Sequence, residues 1–306
     1  MTSPEQVACN RTTERNYYNP ITSDDKHPLI IIDTMNGFFK WYKKSLVRLN
    51  KSRRLPYNRI VDYGDKFGMS ALTATFETTF REYIRKLLRM TQTTVANVVL
   101  ALDCRRSRVW RNDFTIDART NLSTYKATRN TSPDPGISTT IRFMFDDMLP
   151  RLLPNHCIGV PRAEADDVIA VITRLVNARS PARPVYIVSD DSDFIQLLDH
   201  GTNEIYTQRH ERTRDRCLFP ARTHLLIKVI GGDFLDNIRP AFPNCSKRLV
   251  ETLAGDPERL AKMVATHGDE YLKLNRKLID FDYIPPTIKS RIIERSLLLR
   301  VKHRLY

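Results

Sequence analysis

The acidic residues that could do chemistry in this chain gather beside apolar segments. The stretch AEADDVIAV (163–171) places Glu164, Asp166 and Asp167 directly before an apolar run. The ordinary interpretation is helix capping, because carboxylates in a first turn complement the helix dipole and accept backbone N–H bonds. Like charges in one turn also repel one another unless a cation lies nearby. A divalent metal would relieve that repulsion, so it matters whether other carboxylates converge on the same place.

More carboxylates follow other apolar segments, namely PLIIID (28–33), VANVVLALD (95–103) and PVYIVSDD (184–191), or lie in GGDFLDNI (231–238). These acids are Asp33, Asp103, Asp190, Asp191, Asp193, Asp233 and Asp236. Each alone fits an N-cap or a turn. Their recurrence in a chain of net charge +14 instead predicts one acidic cleft, and oxygen-only ligands favour Mg²⁺ or Mn²⁺.

The three apolar segments read as buried strands, and HCIGV (156–160) reads as a fourth. Helical patterns lie between and after them, at about 70–92, 136–153, 164–178 and 192–199. Strands that alternate with helices predict an α/β fold with a parallel sheet. Because ligands bind at the carboxyl ends of such strands, this sheet would bring the acids together.

Three regions are expected along the chain. Residues 1–27 are polar and predict an irregular lead-in, and 28–219 carry the strand and helix alternation of an α/β domain. Within that domain, 104–135 are basic and polar without a clean apolar period, which predicts a loop or a mobile helical arm above the sheet. Residues 220–306 have helical patterns and predict a helical region packed on the sheet.

The excess of positive charge points to a polyanionic partner. There are 49 Lys plus Arg against 35 Asp plus Glu. The cations are clustered, as in RRSRVWR (105–111), which suits a phosphate backbone better than scatter does. A merely basic protein is the alternative. Trp110 and Tyr125 could stack on bases or simply pack in the core, and packing is the better interpretation for each alone.

Other residue types exclude several classes of protein. The five cysteines form no C-x-x-C pair, and the seven histidines show no metal-ligand spacing, so neither a disulfide framework nor a zinc site is expected. No apolar run approaches the length that spans a membrane. These features predict a cytoplasmic protein in a reducing compartment that does not bind membranes.

Five acidic segments of this chain resemble, in order and spacing, the acidic motifs of the flap endonuclease (5′ nuclease) superfamily. They are LIIID, VVLALD, EADDVIAV, VSDDSDFIQLL and GGDFLDNI. STYKATR (123–129) is similar to that family's motif on the arch over the active site. Within the superfamily, WRNDF (110–114), SDFIQLL (192–198) and LIDFDYIP (278–285) are most similar to the ribonucleases H of T-even-type phages. The resemblance covers about 28–295 and implies an α/β nuclease domain with an arch at about 104–135 and a helical DNA-binding region at 220–306.

The resemblance also implies roles for individual residues. Two Mg²⁺ ions, for which Mn²⁺ would substitute, are expected at Asp33, Asp103, Glu164, Asp166, Asp167, Asp191, Asp193, Asp233 and Asp236. Asp190 matches no ligand of the family and reads as a neighbouring surface acid. Lys126 and Arg129, with Asp166, are the expected catalytic residues. Nucleic acid is expected to contact Arg105, Arg106, Arg108, Arg111, Tyr125, Lys126, Arg129, Lys247 and Arg248.

One segment departs from the family pattern. After the last acidic motif most relatives carry a glycine hairpin that grips duplex DNA, whereas this chain reads RPAFPNCSKR (239–248). The T-even-type enzymes also lack a standard hairpin, so the departure bears on the grip of the duplex rather than on the family.

The implied function is Mg²⁺-dependent hydrolysis near the 5′ end of RNA or DNA annealed to DNA, including flaps, as in removal of replication primers. A monomer in the host cytoplasm is expected, with a single-strand-binding protein and a sliding clamp as partners. Two alternatives stay open. A phosphatase with a nucleophilic Asp usually has a second Asp two residues on, but Asp33 is followed by Thr34 and Met35. A non-catalytic scaffold would normally have lost several of the carboxylates.

Overall fold

The computed structural model describes residues 17–23, 26–52, 66–118, 123–128, 135–199 and 202–302. The expected lead-in and arch therefore lie partly outside the described residues. Arg129 and most of the lead-in fall in the segments that are not described.

A five-stranded parallel sheet forms the centre of the molecule. Its strands are β2 (Leu29–Asp33), β3 (Val98–Ala101), β4 (Cys157–Ile158), β5 (Val185–Val188) and β6 (Asn203–Tyr206), in the order β4-β3-β2-β5-β6. All four pairings between neighbours are parallel, so every strand ends at the same edge. Asp33 pairs with Ala101, and Ile32 with Val188. That register places Asp33, Asp103 and the acids after Val188 side by side.

The central strand β2 is buried on both faces, which explains its continuous apolar sequence. Leu29 and Ile31 belong to one core cluster, whereas Ile30 and Ile32 belong to the other. All four side chains are 0% exposed. This alternation follows from the two-residue period of a strand and requires a layer of helices on each face.

On the Ile30 face lie α1 (Thr34–Ser52), α2 (Lys66–Thr91), α3 (Pro135–Phe143) and α4 (Leu149–Leu152), with a π-helical turn at Met144–Met148 between the last two. On the Ile31 face lie α5 (Ala165–Arg179), α6 (Ala221–Gly231), α9 (Glu270–Ile279) and α10 (Pro286–Leu297). Two more helices, α7 (Lys247–Gly255) and α8 (Pro257–His267), pack on α6 around a small apolar cluster. The short strands β1 (Tyr17–Tyr18) and β7 (Val301–Lys302) pair antiparallel near the two ends of the chain.

The helical C-terminal part shares a core with the sheet. Phe281, Ile288 and Ile292 lie in the same cluster as Ile31 and Val99. Each of these side chains is at most 3% exposed. Removing the C-terminal helices would therefore uncover one face of the sheet, so this part does not hang from the α/β domain on a linker.

The α/β class and the parallel sheet are confirmed, with corrections in detail. The helix expected at 192–199 is a 3-10 segment, Ser192–Leu197, and the pattern at 136–153 is broken by the π-helical turn. Helix α1 and strand β6 were not predicted. In β6 the polar residues Asn203 and Glu204 hide the strand pattern, although Asn203 is only 1% exposed because its amide donates to the Leu197 carbonyl. In the described part of the chain, no helix has the length and apolarity to cross a membrane.

Candidate active site

A cleft of about 390 Å³ opens at the carboxyl edge of the sheet. It is lined mainly by acids that the sequence places at separate points of the chain, together with two lysines. Its charged lining consists of Asp33, Asp103, Lys126, Asp166, Asp190, Asp191, Lys228, Asp233 and Asp236. The predicted convergence of the strand-end acids therefore occurs in space.

Asp33, the last residue of β2, is held rigidly in the cleft floor. Its carboxylate accepts the Asn36 backbone N–H at 3.1 Å and the Ser189 hydroxyl at 2.8 Å, and the residue is 7% exposed. Burial, and then the neighbouring charge of Asp103, raise the pKa of Asp33 to about 7. The carboxylate is thus ionised at a free-energy cost that a bound cation would remove.

The first turn of α5 carries Asp166 into the cleft and is fixed by Asp103. The Asp103 carboxylate accepts the Ala165 backbone N–H at 2.8 Å. Burial, and then the charge of Asp191, raise the pKa of Asp166. A helix N-terminus would ordinarily lower the pKa of a carboxylate, so burial and like charge dominate here.

Behind the cleft, Glu164 and Asp167 form a capping box at the start of α5. Asp167 is 0% exposed, and its carboxylate accepts the Trp110 indole N–H at 2.9 Å and the Glu164 backbone N–H at 2.9 Å. The Arg111 guanidinium pairs with Glu164 and Asp167, each at 2.9 Å, and donates to the Leu278 carbonyl at 2.8 Å. This buried network aims the first turn of α5 at the cleft.

The motif STYKATR brings two side chains onto the same acids. The Tyr125 hydroxyl lies 2.9 Å from Glu164 Oε2 and 3.2 Å from Asp236 Oδ2. The Lys126 ammonium lies 2.5 Å from Glu164 Oε1 and 3.5 Å from Asp236 Oδ2. Burial alone would raise the pKa of Glu164, but the charges of Arg111 and Lys126 outweigh it and hold that pKa below its usual value.

A second lysine, Lys228, offsets other acids of the cleft. Lys228, in the last turns of α6, pairs with Asp193 and lies 3.0 Å from Asp233 Oδ2. Burial opposes its charge, but Asp193 and Asp233 outweigh burial and raise the pKa of Lys228. Lys228 therefore stays protonated among carboxylates. It is a site residue that the sequence analysis missed; the only signal was its position five residues before Asp233, at the end of a helical pattern.

The donor chemistry of the cleft fits divalent metal ions. Its acids offer only oxygen ligands, and the pKa values of Asp33 and Asp166 are raised by burial first and by neighbouring aspartates second. Within the described ranges, no three Asp, Glu, His or Cys side chains close around a common point as a preformed metal cage. The aspartates line the cleft rather than enclose an ion, and the ammonium groups of Lys126 and Lys228 take positions between them.

The expected metal ligands fall into two groups. Six of them line the cleft: Asp33, Asp103, Asp166, Asp191, Asp233 and Asp236. Glu164, Asp167 and Asp193 lie outside the lining and have protein cations as partners. Asp190, expected to be a surface acid, is exposed at the cleft rim and pairs with Lys40 at 2.9 Å.

Two expected nucleic-acid contacts require correction. Arg111 is 3% exposed and Tyr125 is 5% exposed. The Arg111 guanidinium and the Tyr125 hydroxyl both contact the buried carboxylate of Glu164. Neither side chain presents a surface to a nucleic acid. Trp110, at 3% exposure, packs in the core, which was the favoured interpretation for this aromatic.

The other expected nucleic-acid contacts are exposed to solvent or lie outside the described residues, apart from Lys126, which lines the cleft. Arg105, Arg108, Lys247 and Arg248 are exposed. Lys247 and Arg248 open helix α7, whose N-terminus is capped by the Ser246 hydroxyl. Arg129 and the side chain of Arg106 lie outside the described residues.

Comparison with known families identifies the family of this chain. Residues 28–219, more than half of the chain, match the family model described as the 5′-3′ exonuclease N-terminal resolvase-like domain. The chain belongs to the 5′-3′ exonuclease family. It is therefore a 5′ nuclease, an enzyme that hydrolyses phosphodiester bonds. Residues 237–302 of this 5′ nuclease match the model of the C-terminal region of T4 RNase H.

Individual relatives agree with the family. The chain is 26% identical over 271 residues to the ribonuclease H of Enterobacteria phage T4, covering 82% of this chain and 86% of that protein. Its fold is similar to the D15 protein of bacteriophage T5 co-crystallised with metal ions, with a TM-score of 0.61, 15% identity, and coverage of 89% and 98% of the two chains. A T5 D15 flap endonuclease variant in complex with DNA and metal ions matches with a TM-score of 0.59, 16% identity, and coverage of 89% and 100%.

Proposed function

We propose that this 5′ nuclease is metal-dependent and cuts near the 5′ end of RNA or DNA annealed to DNA, the reaction that removes replication primers and flaps. The observation that carries the proposal is the convergence of six motif aspartates in one cleft beside Lys126. Exposed cations at Arg105, Arg108, Lys247 and Arg248 give the protein surface positive charge that a phosphate backbone would contact.

The proposed metal sites use the aspartates that line the cleft. Mg²⁺ or Mn²⁺ would be held by Asp33, Asp103, Asp166 and Asp191, with Asp233 and Asp236 completing the second site. Divalent ions bound there would supply polarisation of the scissile phosphate and activation of water. Support comes from the raised pKa values of Asp33 and Asp166, because burial, and then neighbouring aspartates, make the charged form of both costly and a bound cation would lower that cost.

Lys126 is proposed to stabilise the transition state. Its ammonium lines the cleft while Glu164 holds it from behind, so its position is fixed before substrate arrives. A preorganised cation gains strength as negative charge develops on the phosphate oxygens. Glu164 then acts as a positioning residue for Lys126, which supports a role for Glu164 other than direct metal ligation.

The polarity of cleavage and the preference for RNA follow from relatives rather than from the cleft. Carboxylates and Lys126 address phosphate, and a 2′-hydroxyl is what distinguishes RNA from DNA. The T4 relative is named ribonuclease H, and the T5 relative is named flap endonuclease. Both names support action on strands annealed to DNA. A monomeric enzyme in the host cytoplasm, with a single-strand-binding protein and a sliding clamp as partners, belongs to the same proposal.

The test is cleavage of an RNA–DNA hybrid and a DNA flap, each labelled at the 5′ or the 3′ end, with Mg²⁺ or with EDTA. The proposal expects short products that carry the 5′ label in Mg²⁺ and intact substrate in EDTA. Equal cleavage in EDTA would overturn metal dependence. Short products that carry only the 3′ label would overturn the 5′ polarity.

A further inference from the structure

A second cavity, of about 690 Å³, lies outside the acidic cleft. It is formed by α1, α2 and the turn that follows β6. Its lining residues that bear on function are cations and aromatic rings, namely Lys44, Lys86, Arg89, Trp41, Tyr83 and His210. The cavity is as basic as the catalytic cleft is acidic.

Most cations of this cavity have no acidic partner in the part of the chain that the structure describes; Lys40, which pairs with Asp190, is the exception. Among the residues that the structure describes, no ion pair is recorded for Lys44, Lys86 or Arg89, nor for Arg85 and Arg209 on the same walls. The acid on these walls, Glu82, forms an ion pair with Arg48, which does not line the cavity; the guanidinium nitrogen lies 2.7 Å from Glu82 Oε2. A concave surface with several uncompensated cations attracts an anion of matching size.

The aromatic side chains give the cavity a flat apolar wall. The rings of Tyr83 and His210 stack with centroids 4.8 Å apart and planes at 26°. Trp41 is 2% exposed, and its indole N–H has no acceptor within the described part of the chain. Gly37 leaves room for this indole, because a Cβ at that position would lie 2.6 Å from a Trp41 ring carbon. The Trp41 ring packs behind Tyr83, with ring centroids 5.1 Å apart, and completes the aromatic wall.

The pKa of His210 is lowered by its buried, positively charged surroundings. Burial, and then the charges of Lys86 and Lys44, lower the pKa of His210 to about 4. The ring is therefore neutral at pH 7 and can stack on a base without adding charge. His210 is held in the left-handed region with φ of 67°, so the turn after β6 presents this ring in a specific orientation.

The basic cavity and the acidic cleft share a wall. The Tyr83 hydroxyl donates to Gln208 Oε1 at 2.8 Å, and the Gln208 backbone N–H donates to Asp190 Oδ1 at 3.0 Å. Asp190 lines the acidic cleft and pairs with Lys40, which lines the basic cavity. A ligand in the cavity would therefore lie next to the cleft without touching the proposed metal ligands.

We propose that this cavity is a second nucleotide-binding site that takes one phosphate-bearing nucleotide unit. Its phosphate would lie among Lys44, Lys86 and Arg89, and its base against the wall of Tyr83 and His210. Where the unit belongs to a nucleic-acid strand, the inference rests on the proposed function and adds a contact beyond the strand that is cut. Where it is a free nucleotide, the chemistry of recognition is the same.

The test compares two double variants with equal loss of charge. Lys44→Ala with Lys86→Ala removes two cavity cations, and Lys43→Ala with Arg142→Ala removes two exposed cations that do not line the cavity. Binding is measured in EDTA, so that cleavage does not intervene, with deoxyadenosine 5′-monophosphate by calorimetry and with a labelled forked DNA by anisotropy. Urea midpoints check that each variant folds.

The proposal expects the cavity variant to bind at least one probe about tenfold more weakly, and the control variant to stay within about twofold. Weakening for the mononucleotide identifies a free-nucleotide site, whereas weakening for forked DNA alone identifies a strand site. His210→Ala, which removes the stacking ring and no charge at pH 7, should weaken the same probe. Equal behaviour of the two double variants with both probes overturns the proposal. Because this test measures binding and not cleavage, its result can be interpreted even if the protein fails the nuclease assay.

Discussion

The substitution Arg111→Met separates a structural arginine from one that contacts nucleic acid. Methionine keeps much of the side-chain volume but removes the charge that compensates Glu164 and Asp167. Both carboxylates are buried, with side chains 6% and 0% exposed. Arg111 itself is 3% exposed, so water cannot replace the guanidinium without rearrangement.

The expected loss of stability is large. Removing one partner from a buried ion pair typically costs about 3–5 kcal/mol, because the remaining charge is left uncompensated. Loss of the hydrogen bond to the Leu278 carbonyl adds about 1 kcal/mol. Lys126 still pairs with Glu164 and offsets part of this, so we expect the free energy of unfolding to fall by about 4 kcal/mol.

The assay is urea denaturation in EDTA at pH 7.5, with Arg108→Ala as the control. Arg108 is exposed in the same segment, so its removal should change the free energy of unfolding by less than about 0.5 kcal/mol. Adding Asp167→Asn to Arg111→Met should recover about 2 kcal/mol, because the orphaned charge is removed with its partner. A loss below about 1 kcal/mol for Arg111→Met, accompanied by weaker DNA binding, would refute the buried-network account.

Three further predictions concern catalysis, binding and pH. Lys126→Ala should lower the single-turnover rate about a hundredfold and affinity only a few fold, whereas Arg105→Ala should lower mainly affinity; equal rate losses would remove the special role of Lys126. The logarithm of DNA affinity should fall linearly with the logarithm of salt concentration, with a slope of several released counterions, and a flat response would contradict the basic surface. Because the folded-state pKa of Asp33 is raised to about 7, its contribution to stability is fully present below the unfolded pKa and is lost as pH rises through 7. In EDTA, Asp33→Asn should therefore stabilise the protein by about 4 kcal/mol at pH 8, at about 1.4 kcal/mol for each pKa unit of the shift, and hardly at pH 4, as read from urea midpoints at both values.

The sequence predicted those parts of the fold that depend on local pattern. The apolar run before Asp33 and the one before Asp103 could be read as strands, because strands covered on both faces are apolar throughout. Strand β6 could not, since Asn203 is buried through a side-chain hydrogen bond to Leu197 that no periodicity encodes. Helix α1 was missed because it begins directly after strand β2 with no loop between them, although Asp33 caps it by accepting the Asn36 backbone N–H.

For the site, residue type and strand position predicted which acids converge but not which of them face the cleft. Asp166 and Asp167 are neighbours in sequence, yet Asp166 lines the cleft and Asp167 points into the core against Trp110 and Arg111. Successive side chains of a helix lie about 100° apart around its axis. Which of the two carboxylates faces the cleft therefore depends on how α5 packs against the rest of the protein. Arg111 reads as one more cation of a basic cluster, and its hydrogen bond to Leu278, 167 residues away, is a property of the tertiary fold.

The central claim is that the cleft aspartates of this 5′ nuclease carry its chemistry. The most direct test is the single-turnover cleavage rate in Mg²⁺ of Asp166→Asn against Asp190→Asn, two neutralised acids of the same cleft. Asp166 is a proposed metal ligand, whereas Asp190 lies at the rim and pairs with Lys40. The account predicts a rate loss of at least about a hundredfold for Asp166→Asn and of about threefold or less for Asp190→Asn. Near wild-type cleavage by Asp166→Asn, or equal losses in both variants, would contradict it.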